Sequence, residues 1–282
     1  MNRKKNIVIF LSVIVISFLS YVAFIYIQTP YNSISENKIA QISFDDVYLC
    51  LKDLKDNEGD YISIFQQPFF KELKYLHDTY DAVFSLYVFE SAEGFDIATI
   101  PIKYKLEFHK NASWLKFGYH AMSPKFDKKR CSECFMQSID KVNNSIKSWA
   151  GKESLTSCLR LHYYYADSIM IHNLRERNIY RLLGADDEGR ISYDLSAVQS
   201  DSLYKLRHYT RDSILYFKTD VRVERMRPFP LELLDIQNQD TIILFTHEWA
   251  IMKGIRKSFN KMKLRKSIEW LNENNYKFSF LE

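Results

Sequence analysis

The chain has 282 residues, enough for one membrane segment followed by one domain with a full hydrophobic core. With 20 Phe and 19 Tyr against only 7 Gly and 6 Pro, it is neither disordered nor of low complexity. A formal charge of +4 is too small to argue for a nucleic-acid partner, and no basic stripe interleaves with aromatics; the Lys/Arg-rich stretch from Lys253 to Lys266 reads as the solvated face of a helix.

From Ile7 to Ile27 the chain carries 21 uncharged residues rich in Ile, Val, Phe and Leu. As a helix they span roughly 30 Å, the hydrocarbon thickness of a bilayer. Arg3, Lys4 and Lys5 precede them and no further basic residue appears until Lys38, so the positive-inside rule leaves residues 1–6 as a cytoplasmic tail and puts the remainder outside. A cleaved signal peptide is the rival, but the bulky Ala23-Phe24-Ile25-Tyr26-Ile27 end lacks a small-x-small site. We therefore expect a signal anchor over 7–27, a polar linker over 28–37 and a folded domain over 38–282.

Within that domain, apolar runs alternate with amphipathic stretches. Lys38–Phe44 predicts a strand ending in two aspartates, Phe69–Tyr80 a helix with Phe70, Leu73 and Leu76 on one face, and Ala82–Phe89 and Trp114–Tyr119 two further strands. Cys134–Trp149 predicts a helix, Ser157–Tyr163 a strand, Ser168–Arg177 a helix, and Tyr180–Leu183 a strand closed by Gly184. Ile214–Phe217 and Thr241–Phe245 predict strands and Ser258–Asn274 a closing helix. Strands alternating with helices imply parallel β/α units, whose reactive groups gather at the C-terminal ends of the strands. There is no internal repeat and no Gly-rich phosphate loop. Cys131 and Cys134 have a C-x-x-C spacing without the second pair of a zinc knuckle, which leaves a local disulfide or two free thiols.

Five polar residues fall at or just beyond strand ends: Asp45 and Asp46, His120, His162 and His247. On a β/α barrel they converge on one face. A divalent metal takes imidazole nitrogens and a carboxylate and keeps a position open for water. A second carboxylate serves as base, and a histidine protonates the leaving group. Two adjacent carboxylates resist joint ionisation, and a cation that neutralises one makes their burial tolerable. Asp186-Asp187, a similar pair, reads as an ordinary loop.

Ile42-Ser43-Phe44-Asp45-Asp46 resembles the first motif of the polysaccharide deacetylase superfamily, carbohydrate esterase family 4, where the strand ends in S/T-F-D-D. Tyr80 to Val88 resembles a further strand of that family. Lys116-Phe117-Gly118-Tyr119-His120 resembles its second motif, and Ile242-Ile243-Leu244-Phe245-Thr246-His247 its last. The resemblance covers roughly Lys38 to Trp249. It implies a distorted (β/α)7-type barrel, Asp45 as base, Asp46 and His120 as metal ligands and His247 as acid. The second motif is H-x-x-x-H in the family, and here Pro124 stands at the second histidine's place. The third motif survives only as Leu159-Arg160-Leu161-His162-Tyr163-Tyr164, in which Arg160 matches the arginine that holds the base. We expect His162 to replace the missing ligand, with Tyr163 and Trp249 beside the substrate.

The expectation is a zinc-dependent deacetylase acting on an acetylated, cell-envelope or exported glycan from the extracytoplasmic side of the membrane. The alternative is an inactive deacetylase-like protein that binds glycan or serves as a scaffold in surface-polysaccharide assembly.

Overall fold

The computed structural model describes residues 14–17, 20, 38–125, 132–227 and 229–282. Met1–Glu36 and Asn37–Glu282 form separate units. In the first, residues 14–17 and 20 are helical; the rest of the expected 7–27 anchor, the 1–6 tail and the linker up to residue 37 lie outside the described residues. Among the described residues no helix is long and apolar enough to cross a membrane.

The second unit begins with β1 (Ile39–Val47), α1 (Leu49–Asp56), α2 (Pro68–Tyr80) and β2 (Phe84–Phe89). A small hairpin of β3 (Ser91–Ala92) and β4 (Phe95–Asp96) leads to α3 (Lys105–Lys110), β5 (Leu115–Ala121) and α4 (Ser132–Trp149). Then come β6 (Cys158–Leu159), α5 (Ser168–Arg175), β7 (Arg181–Leu183), α6 (Ala197–Leu206), and the hairpin of β8 (His208–Arg211) and β9 (Ile214–Phe217). β10 (Val221–Arg222), α7 (Leu231–Asp235), β11 (Thr241–His247), α8 (Glu248–Met252), α9 (Lys257–Glu273) and β12 (Lys277–Phe278) complete it.

β1 is buried on both faces, as a central parallel strand covered by helices must be. It lies between β11 and β2 in a sheet ordered β10-β11-β1-β2-β5, all parallel, with β12 also paired to β1. A second sheet runs β6-β7-β9-β8, parallel except for the β8–β9 hairpin. A bridge between Phe117 and Leu155 joins β5 to the approach to β6, and the Asp220 N–H bonds the Ile243 carbonyl at 2.9 Å on the far side. The parallel α/β class is as expected. The distorted barrel implied by the resemblance takes the form here of two sheets, because β6 and β7 are only 2 and 3 residues long and cannot carry a full ladder.

The Ser157–Tyr163 strand is a correction. After Leu159 the chain enters a 3-10 turn, His162–Tyr164, with Tyr163 and Tyr164 at φ 58° and 55°. The apolar run reads as extended in sequence, but Leu161 and Tyr164 bury through a turn while Tyr163 stays half exposed. The short helices α1, α3, α6, α7 and α8 had no predicted counterpart. The aspartates stand within the last turn of β1 rather than beyond it, and His120 within β5. Cys50 and Cys158 are free and buried; Cys134 is disulfide-bonded, and Cys131 lies outside the described residues.

The helices pack by the expected periodicity. α2 buries Phe69, Phe70, Leu73 and Leu76, with Phe69 edge-on to Phe44 of β1 at 5.0 Å. α9 buries Leu264, Ile268 and Leu271. Arg265 of α9 reaches the buried Glu72 of α2 at 2.6 Å, so the two helices are also joined by a charge-assisted contact.

Gly118 in β5 has no room for a side chain. A Cβ there would lie 2.7 Å from both Leu159 Cδ2 and Thr156 Cγ2, and 3.3 Å from the Tyr87 ring. These neighbours are buried and cannot swing away. Gly118→Ala should therefore destabilise the fold by about 1–3 kcal/mol, read as a lower denaturant midpoint at unchanged slope. An unaltered midpoint would show that β5 and β6 are packed loosely.

Candidate metal and catalytic site

Two irregularities in the sheet aim the site. The β1–β2 register shifts between Phe44 and Val47, at the Asp45-Asp46 step, and Asp46 takes a left-handed φ of 56°. The β2–β5 register shifts between Val88 and Phe89, so that Tyr119 and Ala121 are paired and His120 between them is not. Bulges of this kind turn side chains out of the ladder's alternation. Across the other edge, Asp45 sits in register with His247 of β11. Just past the aspartates, the Glu248 carboxylate accepts the backbone N–H groups of Tyr48, Leu49 and Cys50 at 2.8, 2.7 and 2.6 Å. That caps α1 and fixes how the chain leaves Asp46.

Asp46, His120 and His162 meet. Asp46 Oδ1 is 3.2 Å from His120 Nε2 and 3.4 Å from His162 Nδ1, and the two nitrogens are 3.0 Å apart. The far nitrogen of each ring faces a carbonyl: His120 Nδ1 is 2.7 Å from Arg160 O, and His162 Nε2 is 3.3 Å from Pro124 O. A carbonyl only accepts, so each far nitrogen must be the N–H donor. A neutral ring with its proton on the far nitrogen leaves the near nitrogen a bare lone pair. Burial, and after it the neighbouring His120, pushes His162 down to about 4, so its ring is neutral at neutral pH. Asp46 is held below the usual carboxylate range: burial opposes its charge, but His120, His247 and His162 outweigh it. Asp46 Oδ1 is buried without a hydrogen-bond donor of its own.

Three electron-pair donors thus face one another at 3.0–3.4 Å. Without a cation they repel; atoms bonded to one ion at roughly 2.0–2.2 Å have about this spacing. Donor types, tautomers and spacing all fit a divalent metal, and the carbonyls of Arg160 and Pro124 orient the rings as supports of metal-bound imidazoles do. The other Asp46 oxygen accepts from Trp249 Nε1 at 3.0 Å, so Trp249 steadies this carboxylate.

Asp45 stands beside this triad. Arg160, with no exposure to solvent, donates through Nη1 to Asp45 Oδ1 at 3.0 Å and to Ser43 Oγ at 2.7 Å, and through Nη2 to Thr219 Oγ1 at 2.9 Å. Burial works against the guanidinium's charge, but Asp45 and the surrounding tyrosines carry its pKa above the usual value. His247 lies across from Asp46, with Nε2 3.8 Å from Asp46 Oδ2. Its Nδ1 is 2.6 Å from Glu224 Oε1, and Glu224 is held in turn by Thr246 Oγ1 at 2.8 Å. Burial disfavours the imidazolium, yet Glu224 and Asp45 raise its pKa. Glu224 had no place in the sequence reading; it sits on a short turn, Val223–Arg225, in a stretch without motif.

Asp45, Asp46, His120, His162 and His247 line one open cleft of about 210 Å³. Tyr163 also lines it, half exposed, its ring 4.3 Å from that of His162. Trp249 is 45% exposed and stacks on His247 at 5.1 Å. The structure thus brings all eight sequence-selected residues into one neighbourhood.

No protein-family model matches the sequence, and no curated protein matches it. Solved structures do. The chain is similar to a Streptococcus mutans CE4 esterase at 13% identity and a TM-score of 0.50, covering 86% of this chain and 85% of that one. It is similar to a peptidoglycan N-acetylglucosamine deacetylase at 14% identity and a TM-score of 0.51, covering 89% and 88%. A CE4 family pseudoenzyme from Bacillus anthracis also matches, at 9% identity and a TM-score of 0.43, over 87% of this chain and 64% of that one. In its backbone, the chain has the fold of the polysaccharide deacetylases of carbohydrate esterase family 4.

Proposed function

We propose that this protein is a metal-dependent deacetylase that hydrolyses N- or O-acetyl groups on a cell-envelope or exported glycan, acting outside the cytoplasm while its N-terminal segment holds it to the membrane. The observation that carries the reading is the inward-facing set of Asp46, His120 and His162, whose bare donor atoms lie 3.0–3.4 Å apart. Zinc or another divalent cation held by these three would polarise the acyl carbonyl and lower the pKa of a water.

The remaining steps belong to the chain's own groups. Asp45 takes the proton of the attacking water. Arg160 fixes one of its oxygens, and the other has no hydrogen-bond partner among the described residues. His247 donates its Nε2 proton to the departing amine or alcohol; the Glu224 carboxylate at Nδ1 keeps that imidazole charged and correctly turned. Tyr163 and Trp249, both partly exposed, border the opening and offer aromatic faces to a sugar ring. Pro124 marks the loss of the second-motif histidine, and its carbonyl orients the ring of His162 that stands in for it.

Elemental analysis of the purified protein should find stoichiometric metal. Asp46→Asn and His162→Ala should each lower it, whereas Asp45→Asn should keep metal and lose turnover of an acetylated glycan. Full activity after both aspartate changes would end the proposal. A protein that never takes up metal would instead support the scaffold alternative.

Glu224→Gln preserves shape but removes the charge behind His247. It should lower kcat by roughly a hundredfold, within the usual worth of a positioned acid, while KM stays nearly constant. An unchanged kcat would remove Glu224 from the machinery, and a rise in KM alone would move it to substrate binding.

A further inference from the structure

One wall of the cleft is cationic. Arg190, Arg222 and Arg225 line the same cavity as Asp45, Asp46, His162 and His247. Arg222 is committed to the protein: its Nη2 donates to Asp186 Oδ1 at 2.9 Å, and both side chains are largely buried. Arg190 and Arg225 are placed differently. They flank a single carboxylate, Asp187, at 3.7 and 3.6 Å, beyond hydrogen-bonding distance. Neither guanidinium donates a hydrogen bond among the described residues. Arg190 lies over the Tyr164 ring at 4.7 Å, which fixes its position without using its N–H groups. The side chains are 32% and 61% exposed, so both forks reach the solvent of the cleft.

Two guanidiniums sharing one carboxylate leave an excess positive charge and two planar sets of donors at the mouth of the site. Neutral sugar hydroxyls do not call for that arrangement. A carboxylate or phosphate does, since its oxygens match the guanidinium fork and its charge relieves the repulsion between the two. We infer that the cleft selects an acidic glycan, in which a carboxylate or phosphate next to the acylated sugar is held by Arg190 and Arg225. The inference rests on the deacetylase reading and narrows its substrate class.

The test is binding, measured by calorimetry on the full chain carrying Asp45→Asn, so that turnover does not intrude. The probes are hyaluronan tetrasaccharide, which joins N-acetyl groups to carboxylates, chitotetraose, which is N-acetylated and neutral, and N-acetylglucosamine 1-phosphate. The acidic tetrasaccharide should bind at least roughly tenfold more tightly than chitotetraose at low salt, the worth of one charge-assisted contact, and the advantage should shrink as salt rises. Arg190→Ala or Arg225→Ala should remove most of it, and Arg225→Lys, which keeps charge but loses the fork, should fall between. Tightest binding of the sugar phosphate would identify phosphate rather than carboxylate as the anion. Equal affinity for acidic and neutral probes, or an advantage that survives both alanine changes, would overturn the arginine assignment and leave the deacetylase reading intact. Failure of every probe to bind would overturn both.

Discussion

The site depends on a guanidinium buried where four strands come together. Arg160 follows the two-residue β6 and reaches across the interior to Ser43 and Asp45 at the end of β1 and to Thr219 ahead of β10, while its backbone carbonyl takes the Nδ1 proton of His120 on β5. The Phe245 ring lies against it at 4.3 Å. A charge with no solvent contact is expensive to bury, and a pair like Arg160–Asp45 commonly adds little net stability over an apolar replacement. What it adds is position: the guanidinium is tolerable only if Asp45, Ser43 and Thr219 are where they are. One residue thereby fixes the carboxylate proposed as base and the tautomer of an imidazole proposed as ligand.

The two histidines that flank Asp46 show how the same burial gives opposite results. His162 loses water to burial and has His120 beside it, which lowers its pKa further, and the Pro124 carbonyl at its far nitrogen does not offset this, so its pKa falls to about 4. His247 loses as much water but faces Glu224, and its pKa rises. A ligand must present a lone pair and an acid must carry a proton. The environments push each ring toward the state its proposed role requires, and the choice is made by the group behind the ring rather than by the ring.

What the sequence disclosed follows from this. Asp45, Asp46, His120 and His247 were legible because each ends or sits in an apolar run long enough to read as a strand, and parallel strands deliver their ends to one face. Arg160 was legible only by resemblance, since its strand is too short to show periodicity, and His162 was picked out at the end of a predicted strand whose extension is a turn. Glu224 was invisible: it lies on a three-residue turn between short elements, and its importance comes wholly from a contact with His247 across 23 positions. Trp249 was visible as an aromatic near the site, but its hydrogen bond to Asp46 is a property of three dimensions alone. The wide apolar pattern gave α2 and α9 their faces, whereas α1, with Cys50, Leu51 and Leu54 buried in only eight residues, offered too little of one.

The proposed exchange of ligand positions would account for the strain in the turn after β6. With proline at 124, the β5 loop has no second imidazole to offer, and the proposed donor comes from the neighbouring β6 segment. To bring His162 Nδ1 within 3.0 Å of His120 Nε2, the chain turns sharply after Leu161 and holds two successive tyrosines in the left-handed region. Each such residue costs on the order of 1–3 kcal/mol and persists only where its surroundings over-determine it. Here Tyr164 is buried and hydrogen-bonds Asp186 at 3.1 Å, the backbone of Tyr193 donates to its carbonyl at 2.6 Å, and the Pro124 carbonyl pins the ring of His162 from the other side. A turn that only linked β6 to α5 would have no reason to keep that strain. Its retention beside Asp46 is what the proposed third ligand would require of the backbone.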